Sequence, residues 1–358
     1  MAVTLKDVAR EASVSNVTVS RVLAGKQSAI AISEPTRQRV LQAAARLGYQ
    51  PNLLARGLRT QRSGAIGVMV EDITDPFFAA LIPEVDLVFK ERGYRFLLSH
   101  AALDPRTGPT YDRLLGASVD GLLVLGDRAL NREAEEGVLA HQRFVVGIAR
   151  ARHGSAIPSV NVDDDAGVRL ALDHLRALGH HRIGFVGNRA VWDMERRLDV
   201  FLSLMAQAGL DVPADAVALT PHTAEGGYAA ARRLLEGQSA LTALLCTTDL
   251  LALGALCALN QGGLQAPRDL SVVGFDDIPL AAYATPPLTT VRQPVAALAR
   301  TAATLLLDAI EGGASGHANG ATPAEPLSQN MPPLLAPELV ARASSGPRRG
   351  EMASRVMG

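Results

Sequence analysis

Between Asn16 and Arg21 the chain places an amide, a branched apolar side chain, hydroxyls and a guanidinium close together. That is the chemistry of a base-edge reader. Asn pairs bidentately with adenine, Arg with guanine O6 and N7, and a valine methyl packs on a thymine methyl. Such groups read sequence only when one rigid element presents them together. The apolar spacing predicts that element: a helix over 16–23, capped by Ser15, with Val19, Val22 and Leu23 inward and Asn16, Val17, Ser20 and Arg21 outward. A helix over 5–12, capped by Thr4, precedes it, with Val8 and Ala12 inward, and Ser13-Val14 makes the turn. A third helix over 34–47 has Ser33 as its cap, Pro35 in its first turn, Gly48 at its end and Val40, Leu41, Ala44 and Leu47 inward. This is the layout of a helix-turn-helix, although a small protein-binding bundle would share its periodicity.

Charge separates this head from the rest. Through Arg62 there are ten basic and three acidic residues, a charge of +7; the remainder carries −8, and the whole chain −1. A basic head on an acidic body suits nucleic acid on one side and a different ligand on the other.

The second concentration of chemistry lies beyond the head. Short apolar runs over 65–70, 94–99, 121–125, 144–148, 182–187, 241–246 and 270–275 read as strands. Helical stretches over 77–92, 166–178, 194–208, 224–235 and 250–260 alternate with them, which implies parallel sheets covered on both faces. About 280 residues exceed one core, so two sheets are expected. Ligands of such sheets sit beyond the carboxyl ends of the strands. Those ends carry Asp72, Phe77 and Phe78, then Ala149 and Arg150, Trp192 and Arg197, Thr248 and Asp249, and Asp276 and Asp277. Carboxylates accept from hydroxyls, Arg donates a fork and aromatic rings offer flat apolar walls, a set suited to a sugar or polyol. Asp249 as a helix cap, or Asp276 and Asp277 as turn residues, would be the purely structural uses.

Two long stretches, TLKDVAREASVSNVTVSRVLAGK and TRQRVLQAAARLGYQPNLLARGL, closely resemble the lactose/galactose repressor family of bacterial transcription regulators. The resemblance implies that Asn16, Val17 and Arg21 read bases and that Thr18 and Ser20 bind phosphates, with Thr4, Lys6 and Ser15 completing the DNA-contacting set. It implies a hinge helix over 52–58 that folds on the operator, with Leu58 wedged between base pairs, Ala55 beside it and Arg59 along the groove wall. A helix that short is unstable alone in water, which agrees with folding on DNA. Ser13 stands where the family has a turn glycine, and Gly57 lowers the helicity of the hinge.

The body resembles the same family through IGVMVEDITDPFF, VNVDDDAGVRLALDHLRALGHHRIGFVG, CTTDLLALGAL and LSVVGFDDIPLAAYATPPLTTVRQP. The fold implied is a small all-α helix-turn-helix head plus an α/β body of two doubly wound parallel-sheet lobes of periplasmic-binding-protein type. Residues 1–50 would form the head, 51–63 the hinge helix and linker, and 64–343 the effector domain. Its N-lobe would hold about 64–160 and 292–316, its C-lobe about 161–291 and 332–343. Crossovers fall near 161–162, 291–292 and within 312–333, a stretch whose composition reads as a flexible insertion. Arg197 resembles the sugar-clamping arginine of the family and Asp276 an effector-binding aspartate. Asp249 resembles the second residue of an Asn-Asp pair whose first position is Thr248 here. Asp72, Phe77, Phe78, Ala149 and Trp192 complete the expected effector set.

The partners implied are a pseudo-palindromic operator, a small effector that the residues make a sugar or sugar acid, with a purine or nucleoside as the alternative, and a second copy of the chain. The tail over 344–358 reads as flexible and lacks heptads, so a dimer rather than a coiled-coil tetramer is expected. No cofactor or metal is implied: IGFVGN lacks the G-x-G-x-x-G fingerprint, no nucleophile–base pair stands out, and Cys246 and Cys257 have no zinc-like spacing. His180 and His181 follow Gly179 at a helix end, where the dipole favours them. The cysteines read as buried thiols of a cytoplasmic protein. No apolar run approaches the ~20 residues that span a membrane, and the capped, basic N-terminus is unlike a secretion signal.

Overall fold

The computed structural model describes residues 3–23, 32–49, 62–100, 103–104, 108–109, 119–150, 155–237, 240–319 and 333–348. The chain divides into two units, Met1–Gly64 and Ala65–Gly358. The expected hinge positions Ala55, Leu58 and Arg59 lie outside the described residues.

In the first unit, α1 (Leu5–Glu11), α2 (Asn16–Leu23) and α3 (Glu34–Leu47) close on a core of Val8, Ala12, Val19, Val22, Val40 and Ala44. The Asp7 carboxylate reaches back to accept from Thr4 N (3.0 Å) and the Thr4 hydroxyl (2.6 Å). Ser15 Oγ accepts from Thr18 N at 3.1 Å and so caps α2. Two expectations differ. Ser33 holds the cap position of α3, but its hydroxyl pairs with the Thr36 hydroxyl instead of a backbone N–H. Leu41 is 41% exposed, because the buried stripe of α3 runs through Val40, Ala43 and Ala44, and position 41 turns away from it.

The second unit holds two parallel sheets. The N-lobe sheet has the order β2-β1-β5-β6-β7, formed by β1 (Ala65–Val70), β2 (Arg95–His100), β5 (Gly121–Leu125), β6 (Val145–Ile148) and β7 (Ser159–Val160). A small hairpin, β3 (Leu103–Asp104) and β4 (Gly108–Pro109), stands apart from it. Side chains alternate across the sheet, as the period of two requires. Ile66, Val68, Val70, Leu123 and Leu125 face α4 (Pro76–Glu91) and α10 (Val295–Asn319). Met69, Leu122 and Val124 face Val138 of α5 (Arg132–His141). Neither α5 nor α10 stood out in the sequence.

The C-lobe sheet has the order β13-β12-β11-β10-β8-β9, with only β13 antiparallel among these described pairings. Its strands are β8 (Ile183–Gly187), β9 (Val217–Leu219), β10 (Ala243–Cys246), β11 (Ser271–Asp276), β12 (Thr289–Arg292) and β13 (Glu338–Val340). Phe185, Leu245, Val273 and Phe275 pack on α6 (Asp164–Ala177) and α7 (Trp192–Gln207). Val186, Leu244, Cys246 and Val272 pack on α8 (Ala224–Glu236) and α9 (Asp249–Gln261). Helices α8 and α9 touch backbone to backbone: a Cβ at Gly254 would lie 1.9 Å from Ala224 O.

The chain passes between lobes after β7, between β12 and α10, and after α10. The first and third passages pair: Leu335 N donates to Asn161 O and Asp163 N to Leu335 O, both at 2.9 Å. The expected insertion begins as helix, since α10 continues to Asn319; residues 320–332 are outside the described set. The tail expectation also needs correction. Ser344 is fully buried, exchanging hydrogen bonds with Val272 N and O and accepting from Thr289 N, and Arg348 N donates to Leu178 O. A small hydroxyl side chain fits between the starts of β11 and β12 and satisfies their backbone groups, which composition alone does not reveal. Cys246 is buried as expected, but Cys257 is exposed on α9.

Candidate functional site

On the head, α2 presents its expected face. Asn16 and Arg21 are exposed, Val17 is 58% exposed, and Ser20 is half-buried. The exposed Val17 leaves apolar surface in water at the start of a short helix, which costs free energy while it has no partner. Thr18 is half-buried, its hydroxyl 2.9 Å from Ser15 Oγ. Thr4, Lys6 and Ser15 are exposed. Lys6, Arg10, Ser13, Ser15 and Asn16 border one shallow hollow at the turn, so Arg10 joins the charged rim although its sequence position did not single it out. Ser13 adopts φ +52°, the left-handed conformation that glycine takes without strain.

In the body, the strand ends of both lobes converge on one cleft. From the N-lobe it receives Glu71, Asp75, Phe77, Phe78, Gly126, Asp127 and Ala149. From the C-lobe it receives Val191, Asp193, Met194, Arg197, His222, Thr248 and Asp276, and from the second passage Gln293. The open volume is about 30 Å³, room for a water-sized group, so a larger ligand must enter a more open cleft, which then closes on it.

Arg197 is the electrostatic centre. Its Nε donates to Asp164 Oδ1 (2.8 Å) and its Nη1 to Thr247 O (2.6 Å). Nη2 lies 3.4 Å from Asp193 Oδ2, and Nη1 3.9 Å from Asp276 Oδ1. The guanidinium stacks 3.7 Å from the centroid of Phe275. Asp276 ends β11 at φ +115°, and its Oδ1 accepts from Gln293 Nε2 at 2.7 Å. A cleft acid is thereby tied to a passage between the lobes. Burial raises the Asp276 carboxyl well above the usual range and pushes Asp164 up to about 6, with Arg197 opposing both shifts.

The N-lobe wall is built at the start of α4. Asp75 caps it, Oδ1 accepting from Phe77 N at 2.9 Å. Burial, then the neighbouring Asp72, Glu71 and Asp193 carboxylates, push Asp75 up to about 6. Glu71 accepts from Arg128 Nε (2.6 Å) and Arg128 N (2.7 Å). Phe77 and Phe78 meet at 5.4 Å between centroids, tilted by 58°. Gly126 touches both features, because a Cβ there would lie 2.6 Å from Glu71 Oε2 and 2.8 Å from Phe78 Cζ. Ala149 lines the cleft at φ +52°, and the following Arg150 turns beneath the loop instead of entering it. There its buried guanidinium donates to Gly126 O (3.3 Å), Asp127 O (3.0 Å) and the Glu135 carboxylate.

Of the expected effector residues, the structure brings Phe77, Phe78, Ala149, Arg197, Thr248 and Asp276 to the cleft. Three stand elsewhere. Asp72 Oδ1 accepts from Thr74 N and Thr74 Oγ1 (2.8 and 2.6 Å), closing a local turn. Trp192 begins α7 half-buried while its neighbours Val191, Asp193 and Met194 line the cleft. Asp249 is wholly buried behind Thr248, accepting from Ile278 N (2.8 Å) and Thr290 Oγ1 (2.5 Å); burial pushes it up to about 7. The helix cap is Thr248, whose hydroxyl accepts from Leu251 N at 3.4 Å. Glu71 and Asp75 stood in the run after the first strand without entering the expected effector set, whereas Asp127, Asp193, His222 and Gln293 were not singled out at all. The strand-end rule, applied after β5, would have found Asp127.

Residues 4–52 match the family described as bacterial regulatory proteins, lacI family, and residues 172–345 match a periplasmic binding protein-like domain. The repressor CytR of Escherichia coli K12 is 34% identical over 87% of this chain and 91% of its own length. The regulator MalR of Streptomyces coelicolor is 36% identical over 98% of this chain and 99% of its own. A lac repressor dimer bound to operator and the anti-inducer ONPF superposes with a TM-score of 0.80 at 26% identity, covering 97% of this chain and all of that one. A three-helix reading head on a two-lobed binding body defines a DNA-binding transcription regulator rather than an enzyme. The chain belongs to the lacI family of bacterial regulatory proteins. Among the described residues no helix is long and apolar enough to cross a membrane.

Proposed function

We propose that the chain is a repressor that binds a pseudo-palindromic operator as a homodimer, its affinity set by a small carbohydrate held between the lobes. The observation that carries the effector half is the convergence of Arg197, Asp276, Asp75 and the Phe77–Phe78 corner on one cleft. Carboxylates accept sugar hydroxyls and the phenyl rings cover apolar C–H faces. Relatives of known structure include a CelR–cellobiose complex and an Enterococcus faecium regulator with bound ribose, 29% and 28% identical to this chain. A nucleobase asks for flat faces on both sides. The tilt of Phe77 against Phe78 and the position of Trp192 outside the cleft favour the sugar reading.

The head supplies the other half. Asn16, Val17 and Arg21 read bases, while Thr4, Lys6, Ser15, Thr18 and Ser20 serve the phosphates. Leu58 wedges the minor groove, flanked by Ala55 and Arg59. Effector closes the lobes, and the hydrogen bond from Gln293 to Asp276 passes that motion to a passage between them. Coupling is reciprocal, so operator must shift effector affinity by the same factor. A thermal-shift screen of sugars, polyols and nucleosides tests the effector class: a ligand at a hundred times its Kd stabilises the fold by about 2.7 kcal/mol. A nucleoside hit without a sugar hit would replace the carbohydrate reading. On selected operator DNA, Leu58→Ala should weaken binding with effector affinity unchanged; equal operator binding would remove the wedge.

A further inference from the structure

His222 is an imidazole that the chain encloses and leaves unsatisfied. It follows β9, lines the cleft from the C-lobe, and its side chain is 13% exposed. Its Nε2 is buried without a hydrogen-bond partner among the described residues. Its Nδ1 stands 3.7 Å from Asp75 Oδ2, beyond hydrogen-bond reach. His180 shows the contrast: its Nδ1 lies 3.0 Å from Thr242 Oγ1 and its Nε2 2.9 Å from Gly346 O. A histidine kept for the fold is satisfied in that way, whereas one left open costs stability until something else completes it. Burial pushes the His222 imidazole down to about 4, so at neutral pH one ring nitrogen donates and the other accepts. The group that faces it comes from the other lobe. Asp75 gives Oδ1 to Phe77 N, and Oδ2, the oxygen towards His222, has no hydrogen bond among the described residues.

Resting on the carbohydrate reading above, which supplies the site, we infer that His222 and Asp75 clamp one free hydroxyl of the effector from opposite lobes, which makes His222 a specificity-determining residue. A hydroxyl suits the pair because its oxygen accepts from the imidazole N–H while its hydrogen donates to the carboxylate. The carboxylate opposite Nδ1 favours the tautomer with the proton there. A hydroxyl oxygen set to one side of the 3.7 Å gap reaches both groups at ordinary hydrogen-bond length. A methyl ether in that place has lost the hydrogen, and a deoxy carbon has lost both roles, so each leaves an enclosed polar group unpaired. Because the two halves of the clamp sit on different lobes, the hydroxyl is fully bonded only in the closed cleft.

The test is calorimetric titration of the full-length protein at neutral pH with glucose, galactose, ribose and cellobiose, then with the monodeoxy and mono-O-methyl forms of whichever binds. His222→Phe should weaken that sugar at least about tenfold. His222→Asn, which keeps an amide donor near the Nδ1 position, should recover most of the loss. In the unaltered protein one hydroxyl position should tolerate neither removal nor methylation. In His222→Phe the same two changes should cost much less, since the partner they remove is already gone. Without sugar, His222→Phe should melt no lower than the unaltered protein, because a flat apolar ring removes an unpaired polar group. Equal sugar binding with and without His222, or deoxy losses that are the same in both proteins, overturns the inference and leaves the carbohydrate reading standing. So does a melting temperature about 3 °C or more lower in the sugar-free variant, which would make His222 a prop of the fold. Silence from all four sugars defeats the carbohydrate reading and this inference with it.

Discussion

The head and the cleft meet their ligands in opposite conditions. On α2, Asn16, Val17 and Arg21 stand exposed on a helix held by a buried apolar stripe. In the cleft, Arg197 and Asp276 are 2% and 7% exposed and already bonded to other protein groups. A surface reader loses water and gains base edges, so each contact acts almost independently. A buried network must exchange partners, so any substitution propagates to its neighbours. Affinity in the head is therefore additive, whereas in the cleft it depends on how charges are shared.

The largest expected effect tests that sharing. Arg197→Ala leaves Asp164, Asp193 and Asp276 without their cation and should destabilise the effector domain by about 3–5 kcal/mol in denaturant unfolding. A loss under about 1 kcal/mol would show that the acids do not depend on it. Next comes Asp249→Ala, which strands Ile278 N and the Thr290 hydroxyl and should cost about 1–3 kcal/mol. Because Asp249 lies behind the cleft, effector affinity per folded molecule should hardly move; a large affinity loss would return it to the cleft.

On the head, Arg21→Ala should weaken binding to a selected operator about tenfold to a hundredfold and flatten discrimination against mismatched sites, while Lys6→Ala weakens all sequences alike. Loss that is uniform in both variants would erase the distinction between reader and phosphate contact. A smaller effect is pH-dependent. Asp249, at about 7 in the fold and 3.8 as a free side chain, is easier to keep protonated when folded. Its contribution is full at low pH and is lost as pH rises through 7. His222, held near 4 against 6.5, works the other way below 6.5. From pH 6.5 to about 8 the fold should therefore lose stability, with the raised carboxyl of Asp276 acting in the same direction, and Asp249→Asn should reduce that slope. The smallest effect is Ser13→Gly, which should stabilise the head by about 0.5–1 kcal/mol by relieving a positive φ; a neutral or lower melting temperature would show that the turn is unstrained.

The same contrast explains what was legible in the sequence. The head is local: Val8, Val19, Val22 and Val40 repeat at helical spacing, and the exposed face follows by subtraction. Strand cores such as Ala65–Val70 and Gly121–Leu125 were equally plain as apolar runs. The cleft is non-local, and only residues directly after strong strands could be proposed. His222 follows β9, three residues long, and Gln293 follows β12, four residues long; both strands are defined by their ladder partners more than by their own composition. Glu71 rather than Asp72 lines the cleft because a one-residue change in the turn sends the side chain elsewhere, and Thr74 captures Asp72 locally. Asp249 was misplaced for a related reason: sequence shows an acid at a helix start, not which side of the helix faces ligand.

The central claim is that the cleft controls the head. The most direct measurement is anisotropy of labelled operator DNA, selected from a random library with the purified protein, titrated with and without the saturating carbohydrate identified by calorimetry. The account predicts a shift in operator affinity of about 5–150-fold, abolished in Asp276→Asn. Identical operator curves with the cleft filled and empty would contradict it.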